Sequence, residues 1–140
     1  MQTVKEILHV KGHEVWSISP YVTMFEALKR MAEKEVGALV VIDGGRAVGI
    51  VTERDYARKL VLHGKSSKDT NIKEIMATKL YSVKLEDPVD HCVKLMVAKH
   101  VRHLLVYDGA KLTGILSLKD LAKTLIPGGE NWASPSVMDT

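Results

Sequence analysis

Two seven-residue strings hold the residues best placed for chemistry: Gly49-Ile50-Val51-Thr52-Glu53-Arg54-Asp55 and Gly114-Ile115-Leu116-Ser117-Leu118-Lys119-Asp120. In each, an apolar run gives way to a hydroxyl residue with an aspartate three positions on. Two kinds of chemistry suit that spacing. The first is a capping box, in which the hydroxyl accepts from the amide three residues later and the carboxylate answers the positive helix end. The second is ligand binding. A carboxylate can accept from two vicinal hydroxyls such as those of a ribose, and a helix start with Arg54 or Lys119 beside it can hold a phosphate. The two readings are compatible. Capping requires no duplication, whereas two such turns in one chain favour paired sites.

Other chemistries find less support. Among six histidines, His100 and His103 are three apart, but one falls at a helix end and the other enters a strand. No carboxylate or cysteine completes a tetrahedral metal set with them, so no metal is expected. His103 reads either as a phosphate neighbour or as an ordinary polar residue. The single cysteine, Cys92, excludes an internal disulfide and lies on the apolar stripe of its helix. No Gly-rich phosphate loop, Ser-His-Asp order or paired carboxylates occur, so no catalytic residues are assigned and the chain is not read as an enzyme.

The elements that must position the two strings are written twice. Shifting the chain by 65 residues aligns residues 15–61 with 80–126 without a gap, and 14 of the 47 pairs are identical. Chance would give about three at ordinary amino-acid usage. Upstream, Lys5-Glu6-Ile7-Leu8 matches Lys73-Glu74-Ile75-Met76 at an offset of 68, so each copy opens with a short amphipathic turn of helix. Residues 15–18 and 80–83 are short strand candidates. Met24, Ala27, Leu28, Met31 and Ala32, like Val89, Cys92, Val93, Met96 and Val97, recur at helical spacing. Residues 38–42 and 104–107 have buried-strand character. Asp43-Gly44 and Asp108-Gly109 are hairpin dipeptides, and further strands follow at 48–51 and 112–116. The expected fold is α/β: two pseudo-symmetric β-α-β-β-α units packed as one module, spanning 1–65 and 66–126, with a tail at 127–140. Polar residues 63–71 would join the units. In the tail, Trp132 reads either as part of a flexible end or as a docked aromatic.

Composition narrows the class. Lys and Arg number 20 against 17 Asp and Glu, a net charge of +3 spread evenly over both halves. No basic block marks a nucleic-acid surface, and no apolar stretch reaches membrane-spanning length. A charged N-terminus unlike a signal peptide and a lone cysteine place the chain in a reducing cytoplasm.

The duplicated unit with Gly-Ile-Val-Thr-x-x-Asp resembles a pair of cystathionine β-synthase (CBS) domains, the Bateman module, over about residues 1–126. Gly37-Ala38-Leu39-Val40-Val41, the Gly49–Tyr56 string and Val101-Arg102-His103-Leu104 look like the small bacterial proteins made of this pair alone. The resemblance implies a non-catalytic sensor of adenosine-containing ligands such as AMP, ATP or NAD(H), bound in the cleft between two units, and a homodimer of pairs. It implies one site from Thr52, Arg54 and Asp55 with Lys84, Leu85, Val101, Arg102 and His103. A second would combine Ser117, Lys119 and Asp120 with Ser19, Pro20, Val36, Gly37 and Ala38. The aspartates would hold ribose, and the apolar residues and backbone would hold adenine. Because Arg102-His103 stand where the first copy has Gly37-Ala38, and Leu85 where it has Pro20, the sites should be unequal, with Asp55's the better. With no effector domain attached, the output would be a change of shape or of a surface for an unknown effector protein. The rival reading is an interaction or dimerisation scaffold with vestigial sites.

Overall fold

A computed structural model describes residues 2–125 of the chain. The tail at 127–140, including Trp132, lies outside the described residues. Elements run in the order α1 (Val4–Lys11), β1 (Ser17–Ile18), α2 (Met24–Lys34), β2 (Ala38–Asp43), β3 (Arg46–Thr52), α3 (Glu53–Asp55), α4 (Ile72–Ile75), β4 (Ser82–Lys84), α5 (Val89–Lys99), β5 (His103–Asp108), β6 (Lys111–Ser117) and α6 (Leu118–Ala122). The fold is α/β with one three-stranded sheet per copy, ordered β1-β2-β3 and β4-β5-β6. In each, the short first strand runs parallel to the second, and the second and third form an antiparallel hairpin.

The local reasons are legible. Thr23 opens α2, its hydroxyl accepting from the Glu26 amide at 3.3 Å, and the 3.6-residue stripe of Met24, Ala27 and Met31 is buried. α5 follows Pro88 and buries Val89, Cys92 and Met96 on the matching stripe. The β2–β3 turn is closed by Gly44 and Gly45 at φ 60° and 77°, values that an I′ hairpin requires of both central residues. The hairpins share even an irregularity: the register shifts after Val41 in one and after Val106 in the other, positions equivalent by the 65-residue offset.

In space the chain divides differently from its repeat. One compact body is Val15–Leu80; the other joins residues 2–14 to residues 81–125. The bodies therefore do not coincide with the boundaries 1–65 and 66–126, because each copy's leading helix packs in the other copy's body. Val4, Ile7 and Leu8 of α1 sit in one core with Cys92, Leu104 and Leu116, while Ile72 and Ile75 of α4 sit with Met31, Leu39 and Val51. The docking bonds repeat as well. The Val4 and Lys5 amides donate to Asp87 O and Leu85 O at 2.9 and 3.0 Å, and the Ile72 and Lys73 amides donate to Val22 O and Pro20 O at 2.9 Å each. The glycines that open the two strings take their meaning here. A Cβ on Gly114 would lie 2.7 Å from Leu8 Cδ1, and one on Gly49 would lie 2.7 Å from Met76 Sδ and 3.0 Å from Ala77 O. Only a residue without a side chain lets the leader lie that close to the hairpin.

Candidate functional site

In the Val15–Leu80 body, β3 ends at Thr52 in extended backbone and turns directly into α3. The Asp55 amide donates to Thr52 Oγ1 at 3.1 Å, and Asp55 Oδ2 accepts from the Thr52 amide at 2.9 Å and its hydroxyl at 3.1 Å. The capping box is thus complete. The other oxygen, Oδ1, lies 3.1 Å from Lys59 Nζ, and that ammonium also donates to Ile75 O at the end of α4, at 2.7 Å. Lys59 sits in a π-helical turn, Tyr56–Leu60, that continues α3. The entrance of β2 faces this turn: Ala38 is paired with Thr52, and the Glu53 amide donates to Gly37 O at 3.1 Å. Val36 is tied to the end of α2 through its amide on Met31 O, and Pro20 O holds Lys73. Ser19 Oγ accepts from the Tyr21 amide at 3.1 Å.

The second body repeats the turn with different surroundings. The Asp120 amide donates to Ser117 Oγ at 3.1 Å, and Asp120 Oδ2 accepts from the Ser117 amide at 2.7 Å. Lys11 Nζ, arriving from the end of α1, lies 2.6 Å from the same oxygen and also donates to Ile115 O. His103 pairs with Ser117, and the Leu118 amide donates to Arg102 O at 2.8 Å. Val101 is tied to Met96 O. The Lys84 amide donates to Asp87 Oδ2 at 2.9 Å, and Leu85 O holds Lys5. Leu85 and Pro20 thus perform the same backbone task despite their different side chains. Both carboxylates are mostly covered, with Asp55 at 15% and Asp120 at 16% side-chain exposure.

Each body therefore assembles its own turn with its own strand entrance: Thr52, Arg54 and Asp55 with Gly37 and Ala38, and Ser117, Lys119 and Asp120 with Arg102 and His103. The expected groupings draw on both bodies. Charge differs between the two turns. In sequence, the Thr52 turn carries Arg54 and Lys59 with Glu53 and Asp55, and the Ser117 turn carries Lys119 with Asp120; Lys59 pairs with Asp55 and Lys11 with Asp120. The lysine at each aspartate went unnoticed in the sequence. Lys59 carried a signal, being four residues after Asp55 on a helical stretch. Lys11 carried none, since its partner is 109 residues away. Among the described residues no three His, Cys, Asp or Glu side chains gather as a metal set, and no helix is long and apolar enough to cross a membrane.

Comparison with known proteins agrees with this architecture. The CBS domain family matches the chain twice, at residues 4–62 and 72–127. A mitochondrial CBS domain-containing protein of Arabidopsis thaliana is 33% identical over 134 residues, covering 89% of this chain and 65% of that protein, so the chain spans less than two thirds of that relative. The structure of a putative signal-transduction protein with CBS domains from Burkholderia ambifaria superposes with a TM-score of 0.84 at 42% identity, covering 95% of this chain and 98% of the other. The CBS domain pair of protein MJ0100, solved in complex with 5′-methylthioadenosine and S-adenosyl-L-methionine, superposes with a TM-score of 0.77 at 25% identity, covering 94% and 99%.

Proposed function

The chain belongs to the CBS domain family, with two copies in tandem, and from that premise we propose that it is a non-catalytic regulatory module that binds an adenosine-containing ligand, AMP, ATP or NAD(H), in a reducing cytoplasm. One observation supports this most: the same partly buried carboxylate, framed by a hydroxyl cap and a lysine ammonium, is built twice at 65-residue spacing. Asp55 and Asp120 are the ribose-binding groups. Thr52, Ser117 and the strand entrances at Val36–Ala38 and Val101–His103 frame them, with Ser19, Pro20, Lys84 and Leu85 on the adjoining segments and Arg54 and Lys119 as phosphate partners. The ligands in the MJ0100 structure support the adenosine class. Such a module acts only through differential affinity for two states of itself or of a partner surface.

A scaffold with vestigial sites is the second reading. It is favoured by the completeness of both capping boxes, which account for the motif with no ligand at all. Thermal melting of Asp55→Asn and Asp120→Asn with AMP separates the two. As a pure cap, each change costs about 0.3–1 kcal/mol whether or not AMP is present. As a ribose clamp, each weakens hydrogen bonds to a charged group worth about 1.5–3 kcal/mol, so affinity falls tenfold or more. At a hundredfold excess over the dissociation constant, linkage is worth about 2.7 kcal/mol, or several degrees for a chain of this size. The ligand reading expects at least one mutant to lose most of that gain while melting nearly normally alone. Both mutants keeping the full shift would leave the scaffold.

A further inference from the structure

The two aspartates obtain their lysines from different places. Lys59 lies four residues along from Asp55 and is part of the same turn. By the 65-residue offset its counterpart is Thr124, so the second copy has no lysine of its own at that position. Lys11 fills the role from α1, and Val4, Ile7 and Leu8 anchor that helix in the core independently of the ion pair. Lys11 Nζ shares Asp120 Oδ2 with the Ser117 amide and makes a further bond to Ile115 O, while the Lys11 side chain keeps 31% exposure.

We propose that Lys11 is the ligand-selecting residue of the Asp120 site, directing it to a phosphorylated nucleoside in preference to the uncharged one. The inference rests on the ligand reading of Asp120. A pair of ribose hydroxyls reaching this carboxylate meets an ammonium already on it. A ligand with hydroxyls alone competes with that ammonium and offers it nothing in exchange. A ligand that also carries a phosphate supplies the displaced ammonium with anionic oxygens, and a compact charge with three donors on a flexible four-carbon stem can follow them. The same cation that penalises adenosine therefore rewards AMP. Arg102 lends its carbonyl to the same turn and Lys119 lies in the helix that follows Ser117, while Lys11 is the ammonium bonded to the carboxylate that the ligand must occupy.

The test is calorimetric titration of the full chain with AMP and with adenosine, comparing wild type, Lys11→Gln, Lys11→Arg and Asp120→Asn, read on the binding component that Asp120→Asn removes. Wild type should favour AMP by about tenfold or more, the worth of one charge-assisted contact. Lys11→Gln should collapse that ratio from both sides, weakening AMP and strengthening adenosine, and Lys11→Arg should retain most of it. Unchanged melting of Lys11→Gln without ligand shows that α1 stays docked. If Asp120→Asn weakens both ligands but Lys11→Gln leaves the ratio intact, the selecting role falls and the ligand site stands. If Asp120→Asn changes neither affinity, or nothing binds the wild type, the ligand reading falls and takes this inference with it.

Discussion

Leu8 and Gly114 offer a direct measurement of which copy the leading helix serves. Leu8 is fully buried, and its Cδ1 and Cδ2 lie 2.7 and 3.0 Å from where a Cβ on Gly114 would stand. Truncating Leu8 to alanine should cost about 2–5 kcal/mol, the range for a buried leucine with its residual cavity. Adding a methyl at Gly114 should cost about 1–3 kcal/mol, because a fully enclosed side chain has nowhere to yield. In the double mutant the new methyl enters the space that Leu8 vacated. Its destabilisation should therefore fall short of the sum by about 1–2 kcal/mol, within the range for residues in contact. The control is Leu8→Ala with Gly49→Ala. Gly49 faces Met76 and Ala77 instead, so that pair should add to within about 0.5 kcal/mol. Urea denaturation followed by circular dichroism supplies all the free energies, provided the slopes stay constant. Coupling of Leu8 to Gly49 with additivity at Gly114 would place α1 on its own copy and refute the exchange.

Two further outcomes are expected. Burial, with a smaller contribution from Asp87, pushes the Cys92 thiol up to about 11. The folded chain therefore holds that proton where the unfolded chain has lost it, so the associated stability is present below about pH 9 and disappears as pH rises towards 11, by about 2–3 kcal/mol. Cys92→Ala, which installs the residue found at the equivalent position 27, should show a correspondingly flatter alkaline loss; parallel denaturation curves from pH 8 to 10.5 would contradict the assignment. Val61 and Leu62 in one body and Val97 in the other are 52–77% exposed, apolar side chains that self-association would cover, and sedimentation at micromolar concentration should show a homodimer. A species of one chain mass would oppose it.

Much of the fold was legible because its signals are local. Helical stripes, buried-strand runs and the hydroxyl-x-x-Asp caps each act over a few residues, and their recurrence at one offset made a duplicated α/β unit readable. The hairpin turns lie one residue past the expected Asp-Gly start, at Gly44-Gly45 and Gly109-Ala110, because Asp43 and Asp108 still pair across the ladder. Strand ends drifted by a residue or two. The hairpins reach from Arg46 to Thr52 and from Lys111 to Ser117, beyond the apolar runs, because ladder bonds continue through polar residues once the turn is closed.

The candidate turns were legible for the same reason: Thr52 with Asp55 and Ser117 with Asp120 are three-residue relations that any helix start enforces. Lys11 on Asp120 and Leu8 on Gly114 were not, since nothing within a few residues of either partner encodes a contact across more than a hundred positions. The exchange of leading helices is the clearest case. Lys5–Leu8 and Lys73–Met76 are alike in sequence, and each docks through equivalent amide-to-carbonyl bonds over an equivalent glycine. Local sequence thus determined that each copy opens with an amphipathic turn of helix, and only the path of the whole chain decided which leader docks on which strand, and with it which lysine reaches Asp120.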